Sequence, residues 1–175
     1  MKPLQQYRIP FTGLKSGKHQ FEFDIDEKFF NEFEYSLVKS GNLKIELELD
    51  KQETMLILNF VIKGEVFLSC DVCLAQYATP VDVKERQIAK FGEKDPEEEA
   101  EDIIFLPKQD HEIDISNLVY EYLNLAVPYI NRCDDPGNLE FCDKAMIEKL
   151  KKLSYKEEET SVDPRWDALN KIKNN

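Results

Sequence analysis

The residues best suited to chemistry in this chain are four cysteines, at positions 70, 73, 133 and 142. Cys70 and Cys73 have the C-x-x-C spacing, which lets two thiolates converge on one point from a single tight turn. Cys133 and Cys142 follow much later as a looser C-x8-C pair. Zinc takes four ligands in a tetrahedral array, and these four thiolates would supply them. We therefore expect a structural zinc site at Cys70, Cys73, Cys133 and Cys142, with four incidental cysteines as the alternative.

A redox role is the other chemistry open to the C-x-x-C pair. In a thioredoxin-like site the first thiol lies at the N-terminus of a helix that follows a strand. Here the apolar residues 54–68 lead into Cys70, and Pro80 and a β-type alternation come after Cys73. This pattern indicates a turn between two strands, so it favours metal binding over a redox role.

No other constellation in the sequence points to catalysis. The sequence has no Walker A motif, no G-x-G-x-x-G, no G-x-S-x-G and no H-E-x-x-H. The two histidines, His19 and His111, stand in polar surroundings with no motif around them. We therefore expect no enzymatic activity, no catalytic residues and no cofactor besides zinc.

The chain has a formal net charge of −12. Binding to nucleic acid needs clustered Lys and Arg that neutralise phosphates, so this charge argues against a surface that binds nucleic acid as a whole. It is compatible with a basic protein partner, such as a ribosomal protein. The sequence has neither a signal-peptide pattern nor an apolar run of membrane-span length. We expect a cytoplasmic location without membrane contact, where thiols are reduced and suited to bind metal.

The first half of the chain has the patterns of a β-sheet. Apolar residues stand at every second position from 43 to 49, which predicts a half-buried strand. The mostly apolar residues 54–62 predict a central strand, followed by a bend at Gly64. Before these strands, Asp26 is a suitable N-cap for a helix over residues 27–38. Its buried stripe would consist of Phe29, Phe33 and Leu37.

The second half of the chain combines helices with charged segments. The nearly continuous charges of residues 92–102 predict a mobile loop, because such a segment buries little apolar surface. A helix is expected from Asp114 or Ser116 to about residue 127, and a second from Asp143 to about residue 153. The buried residues of this second helix would be Met146, Leu150 and Leu153.

The sequence of the last residues, 154–175, predicts a charged linker and a short helix that begins at Asp163-Pro164. A helix of about ten residues is marginal alone in water, so it needs a surface on which to bury one face. We expect that surface to belong to a partner, with the protein's own domain as the alternative. That face consists of Trp166, Leu169 and Ile172. The fold class expected for the whole chain is α+β. Residues 1–153 would form one domain, an antiparallel β-sheet or partly open barrel with packed helices, followed by a flexible C-terminal helical arm.

Three stretches, in this order, resemble a known family. They are residues 70–74 (Cys-Asp-Val-Cys-Leu), residues 113–128, where an acidic and apolar entry leads to a helix ending in Leu-Ala-Val-Pro, and residues 163–169 (Asp-Pro-Arg-Trp-Asp-Ala-Leu). Together they are similar to the bacterial YceD proteins, the large ribosomal RNA subunit accumulation proteins. The chain departs from that pattern at Val72, where many relatives have Arg.

The resemblance implies a non-enzymatic ribosome assembly factor that supports accumulation of large-subunit (23S) rRNA. The implied partner is the large-subunit ribosomal precursor, met through a basic ribosomal protein or by direct contact with rRNA. Two alternatives from other classes are a thiol-active redox protein that uses Cys70 and a general protein-binding module.

Overall fold

The protein has an α+β fold, as the sequence predicts. A computed structural model describes residues 3–92, 103–133 and 139–154. The chain divides into two compact units, residues 1–142 and residues 143–175. In the described part, the first unit contains seven strands: β1 (Arg8–Pro10), β2 (Gly17–Ile25), β3 (Ser40–Lys51), β4 (Met55–Ser69), β5 (Gln76–Phe91), β6 (Ile103–Leu106) and β7 (Glu112–Asp114). The α-helices are α1 (Glu27–Asn31), α2 (Ser116–Ala126) and, in the second unit, α3 (Lys144–Leu153). Short 3₁₀ helices lie at Pro3–Tyr7 and Leu139–Phe141.

Five strands form an open sheet in the order β2-β3-β4-β5-β6. Strands β2 to β5 are a meander in which each strand pairs antiparallel with the next, and β6 pairs parallel with β5. The longest pairing joins β4 to β5, from Met55 opposite Lys90 to Ser69 opposite Gln76. The turn between these two strands therefore lies at one end of the sheet, and it contains Cys70 and Cys73.

One face of the sheet carries the core. Strict alternation places the apolar residues of β3 and β4 on this face, where they are almost completely buried: Leu43, Ile45, Leu47, Leu49, Leu56, Leu58, Phe60 and Ile62. Helix α2 packs on this face and buries Val119 and Leu123. The Tyr122 ring lies edge-on to that of Phe60, with 5.4 Å between the ring centroids. The opposite face carries exposed charges such as Glu46 and Lys84. Within the first unit, the sheet and helix α2 therefore form two layers, with the core between them.

A two-stranded ribbon of β1 and β7 closes the core near the start of the chain. Tyr7 leads into it, completely buried, with its hydroxyl donating to the carbonyl oxygen of Asp24 at 2.8 Å. The Tyr7 carbonyl oxygen accepts from the backbone N–H of Ile115 at 3.1 Å. Tyr7 thus connects the sheet to the start of α2.

Strand β4 continues through the expected bend at Gly64. This residue has φ +148°, a conformation that side-chain-bearing residues rarely adopt. A Cβ at this position would collide with the carbonyl oxygen of Asn42 on β3. Glycine therefore lets one long strand pass close to its neighbour, where the sequence alone indicates an interruption.

The prediction of a helix over residues 27–38 is wrong beyond its first turn. Asp26 caps α1 as expected, accepting from the backbone N–H of Lys28, but the helix ends at Asn31. Tighter turns follow, in which backbone N–H groups bond to carbonyl oxygens three residues earlier, as between Ser36 and Phe33. Phe29 is buried as predicted, whereas Leu37 is 75% exposed. Buried Val38 takes the inward position instead, because the chain must enter β3 two residues later.

Helix α3 begins as the sequence predicts, with the Asp143 side chain accepting from the backbone N–H of Met146 at 3.0 Å. Its predicted burial is wrong, since none of its residues is buried and Leu153 is 83% exposed. The acidic residues 93–102 and the predicted C-terminal arm lie outside the described residues, so the domain boundary after residue 153 stays a prediction. None of the described helices combines the length and apolarity needed to cross a membrane.

Candidate metal centre

The turn between β4 and β5 holds Cys70 and Cys73 in a compact loop. The backbone N–H of Cys70 donates to Ala75 at 2.9 Å, and the N–H of Leu74 donates back to Cys70 at 3.0 Å. Leu74 has φ +63°, an unusual conformation for a leucine, and among the described residues other than glycine it alone has a positive φ. These bonds fold six residues tightly enough to point both thiols toward the interior, where Cys70 is 1% and Cys73 2% exposed.

Cys133 reaches this turn through the segment that follows α2. Pro128 ends the helix region, and the chain then returns to the turn at Asn131. The backbone N–H of Asp71 donates to the Asn131 carbonyl oxygen at 2.8 Å, and the Asn131 N–H donates to the Asp71 carboxylate at 2.7 Å. This pair of bonds fixes the chain two residues before Cys133.

Three thiols meet in the buried space so formed. The Sγ atoms of Cys70, Cys73 and Cys133 all lie within 4.8 Å of one another, and those of Cys73 and Cys133 are 3.4 Å apart. Thiolates that share a tetrahedral zinc ion at about 2.3 Å lie roughly 3.8 Å from each other. The three cysteines therefore can hold a metal ion.

Backbone N–H groups surround the sulfur of Cys70. Those of Val72, Cys73 and Cys133 point at it from 3.4 to 3.5 Å. Burial on its own would raise the pKa of Cys70, but the bonds from Cys73, Cys133 and Val72 outweigh it and lower this pKa to about 6. The turn thus stabilises a thiolate, which is the form of cysteine that binds metal.

Cys142 adjoins the group of three without belonging to it. The pKa of Cys133 is raised by burial first, and then by side-chain hydrogen bonds with Cys73, Cys142 and Cys70. Cys142 is half-buried. The structure brings together the first three predicted ligands, and Cys142 as the fourth ligand stays a prediction.

The same geometry argues against a redox role for the C-x-x-C pair. Reactive thiols of that class are partly exposed and lie at the start of a helix. Here the pair lies between two antiparallel strands, and Cys70 is almost completely buried. A substrate thiol or disulfide cannot reach it without opening the turn.

Sequence reasoning missed the residues that assemble this centre. Asp71 and Asn131 are sixty residues apart, and neither is among the predicted ligands. The weak signal for Asp71 is its position inside the C-x-x-C turn, where a carboxylate can accept from nearby backbone N–H groups. The predicted partner-binding residues Trp166, Leu169 and Ile172 lie outside the described residues.

Comparison with known proteins gives one match. Neither the curated proteins nor the solved structures contain a match to this chain. The family described as "Large ribosomal RNA subunit accumulation protein YceD" matches residues 58–173, which is more than half of the chain and includes all four cysteines. The buried thiol cluster, most of β4 and all of β5 therefore lie within the matched region. The chain belongs to the YceD family.

Proposed function

We propose that this protein is a non-enzymatic, cytoplasmic factor in assembly of the large ribosomal subunit, which supports accumulation of 23S rRNA. The membership in a family with that description supports the role in accumulation. The observation that most favours a non-enzymatic role is the near-complete burial of the three clustered thiols. A closed thiol site is typical of a structural metal, whereas a catalytic metal keeps one position open.

The proposed metal is zinc, bound by Cys70, Cys73 and Cys133 with Cys142 as the fourth ligand. Zinc would neutralise the crowded thiolates and cross-link three parts of the chain. Those parts are the β4–β5 turn, the segment after α2 and the residue directly before the N-cap of α3. The donor set fits this metal, because the described cluster consists of sulfur atoms only.

The proposed partner is the large-subunit precursor, reached through a basic ribosomal protein. The net charge of −12 supports a basic partner over a bare polyanion such as rRNA. Trp166, Leu169 and Ile172 are proposed to add a second attachment through the C-terminal arm, following the spacing of these three residues in the sequence.

The test is to replace the only copy of the gene in growing cells. Depletion should lower the amount of mature 23S rRNA relative to 16S rRNA, and the wild-type protein should restore it. Protein ending at Thr160 should stay folded but recover little large-subunit precursor when it is purified from cells. An unchanged ratio of 23S to 16S rRNA after depletion would refute the proposed function, and normal recovery by the truncated protein would refute the role of the arm.

A further inference from the structure

Large exposed apolar side chains occur in three segments that line one groove beside the β4–β5 turn. Six of them come from three segments that are far apart in sequence: the loop after α1, the β4–β5 turn and the segment after α2. We name this set the turn surface, and it consists of Tyr35, Leu37, Val72, Leu74, Tyr129 and Ile130. Their exposed fractions run from 38% for Val72 to 100% for Tyr129. Single exposed leucines are ordinary, but a concentration at one end of a domain marks an interaction site.

The three segments are physically joined. Leu37 and Tyr129 line one groove of about 510 Å³, and Asp71 and Asn131 line it too. The reciprocal hydrogen bonds of Asp71 and Asn131 tie the turn to the segment after α2. The apolar side chains therefore border a shaped depression on one surface of the first unit.

The conformation of Leu74 independently supports an interaction site at the turn surface. Its φ of +63° is a conformation that glycine adopts without strain, so a leucine there stabilises the turn less than glycine would. The side chain adds nothing to the core, because 68% of it is exposed. A strained, exposed leucine is best explained by a contact outside the chain.

The charges beside the turn surface indicate what kind of partner fits. Four carboxylates stand in the segments at and beside the turn surface (32–39, 71–75, 127–133 and 139–142), those of Glu32, Glu34, Asp71 and Glu140, against two cations, Lys39 and Arg132. Near the rim, the Lys39 ammonium donates to a backbone carbonyl oxygen, that of Glu34, at 3.2 Å. Carboxylates thus outnumber cations beside the turn surface, and together with the net charge of −12 this favours Lys and Arg side chains over phosphates as partners.

We propose that the turn surface binds a basic protein segment that carries apolar side chains. This inference rests on the proposed function, because it places the basic partner of the assembly factor on the first unit. Apolar side chains of the partner would enter the groove between Leu37 and Tyr129. Its Lys and Arg residues would lie over the surrounding carboxylates.

The experiment is a titration of the fluorescently labelled full chain with two probes. The first is the protein of the large ribosomal subunit, stripped of RNA and fractionated by cation exchange; the second is protein-free 23S rRNA. The wild type should bind one or more basic fractions saturably, and more weakly at high salt. Leu74→Gly and the double variant Leu37→Ser, Tyr129→Ser should bind those fractions at least tenfold more weakly. Leu153→Ser, which removes a leucine of the second unit that is more exposed than Leu37 and Leu74, should bind as the wild type.

Leu74→Gly keeps this test valid, since it should leave the fold intact and relieve strain in the turn. The proposal would be overturned if the wild type and both turn-surface variants bound the basic fractions equally. It would also be overturned if the wild type bound 23S rRNA and these variants did not. Measurement of rRNA in cells separates this failure from that of the proposed function. If depletion lowers 23S rRNA and the double variant restores it fully, the function stands and the turn surface is not its partner site.

Discussion

Asp71 and Asn131 exchange two hydrogen bonds across sixty residues of sequence, at 2.8 Å and 2.7 Å. One bond is the backbone pairing of Asp71 N–H with the Asn131 carbonyl oxygen, and the other uses the Asp71 carboxylate. Because they fix the chain two residues before Cys133, they decide whether the third thiol meets the first two. The position of the thiol cluster thus depends on a polar contact at its rim.

The first prediction follows from that contact. Asp71→Ala removes the carboxylate and should lower the free energy of unfolding by about 1 kcal/mol, since the Asn131 N–H loses its partner. It should also make Cys133 react faster with a thiol reagent. Asp71→Asn keeps an acceptor oxygen and should behave close to wild type. Urea denaturation and timed thiol labelling measure both effects, and identical labelling rates in all three proteins would contradict the positioning role.

The second prediction concerns the metal. Purified protein should contain about one zinc per chain by elemental analysis. Cys73→Ser should lose that zinc and lower the melting temperature by ~5 °C or more, because metal binding is coupled to folding. Cys142→Ser should retain less zinc than wild type if Cys142 completes the site. A metal-free wild type that melts at the same temperature with and without chelator would refute the site.

The third prediction concerns Gly64 in β4. Gly64→Ala should destabilise the protein by more than about 1 kcal/mol, because its φ of +148° suits glycine and the added Cβ meets the Asn42 carbonyl oxygen. Gly13→Ala is the matched control, since no atom lies within 4 Å of a Cβ there. That variant should stay within about 0.5 kcal/mol of wild type in urea denaturation. Equal stability of the two variants would show that β4 accommodates a side chain at residue 64 and would contradict this requirement for glycine.

The fourth prediction concerns the pH dependence of stability. Burial raises the pKa of Tyr7 above its usual value, with Asp26 and Asp24 adding to the effect and Gln6 opposing it. A raised pKa means that the folded state prefers the neutral phenol. The contribution of Tyr7 to the free energy of unfolding is therefore fully present below about pH 10 and is lost as the pH rises further. Tyr7→Phe should lower the free energy of unfolding at pH 7 by about 1 kcal/mol, because it removes the hydrogen bond to the carbonyl oxygen of Asp24.

Above pH 10 the Tyr7→Phe variant should decline less steeply than wild type, because it has no phenol to ionise at this position. Tyr35→Phe, at an 85% exposed site, is the control and should follow the wild-type curve. Denaturation at pH 7 and pH 10.5 compares the three proteins. Parallel alkaline declines of wild type and Tyr7→Phe would show that Tyr7 does not contribute to the pH dependence.

The sequence predicts the sheet better than the helix before it. The alternation from residue 43 to residue 49 locates the buried face of β3 correctly, because a strand exposes its two faces at a fixed period. The helical spacing of Phe29, Phe33 and Leu37 misleads, because it is informative only while the helix continues. Helix α1 ends at Asn31 because the chain has to turn into β3, and Leu37 is therefore exposed.

The candidate site, too, could be predicted from the sequence only in part. The C-x-x-C spacing identifies Cys70 and Cys73, since a tight turn is a local property of the chain. The meeting of Cys73 with Cys133 depends on how α2 and the segment after it pack, and no spacing encodes that. The turn surface is likewise invisible to sequence reasoning, because Leu37 and Tyr129 become neighbours only in the folded chain.

The ribbon of β1 and β7 has a consequence for synthesis of the chain. Arg8 pairs with residues more than a hundred positions later, including Glu112 at a separation of 104. At roughly 5 to 20 residues per second, translation leaves β1 without its partner for about 5 to 20 s after it is made. The meander β2 to β5 needs only sequence neighbours and can form during that wait. The apolar side chains of Ile9 and Phe11, buried in the finished protein, are therefore among the last to leave water on a nascent chain, although they are among the first to be synthesised.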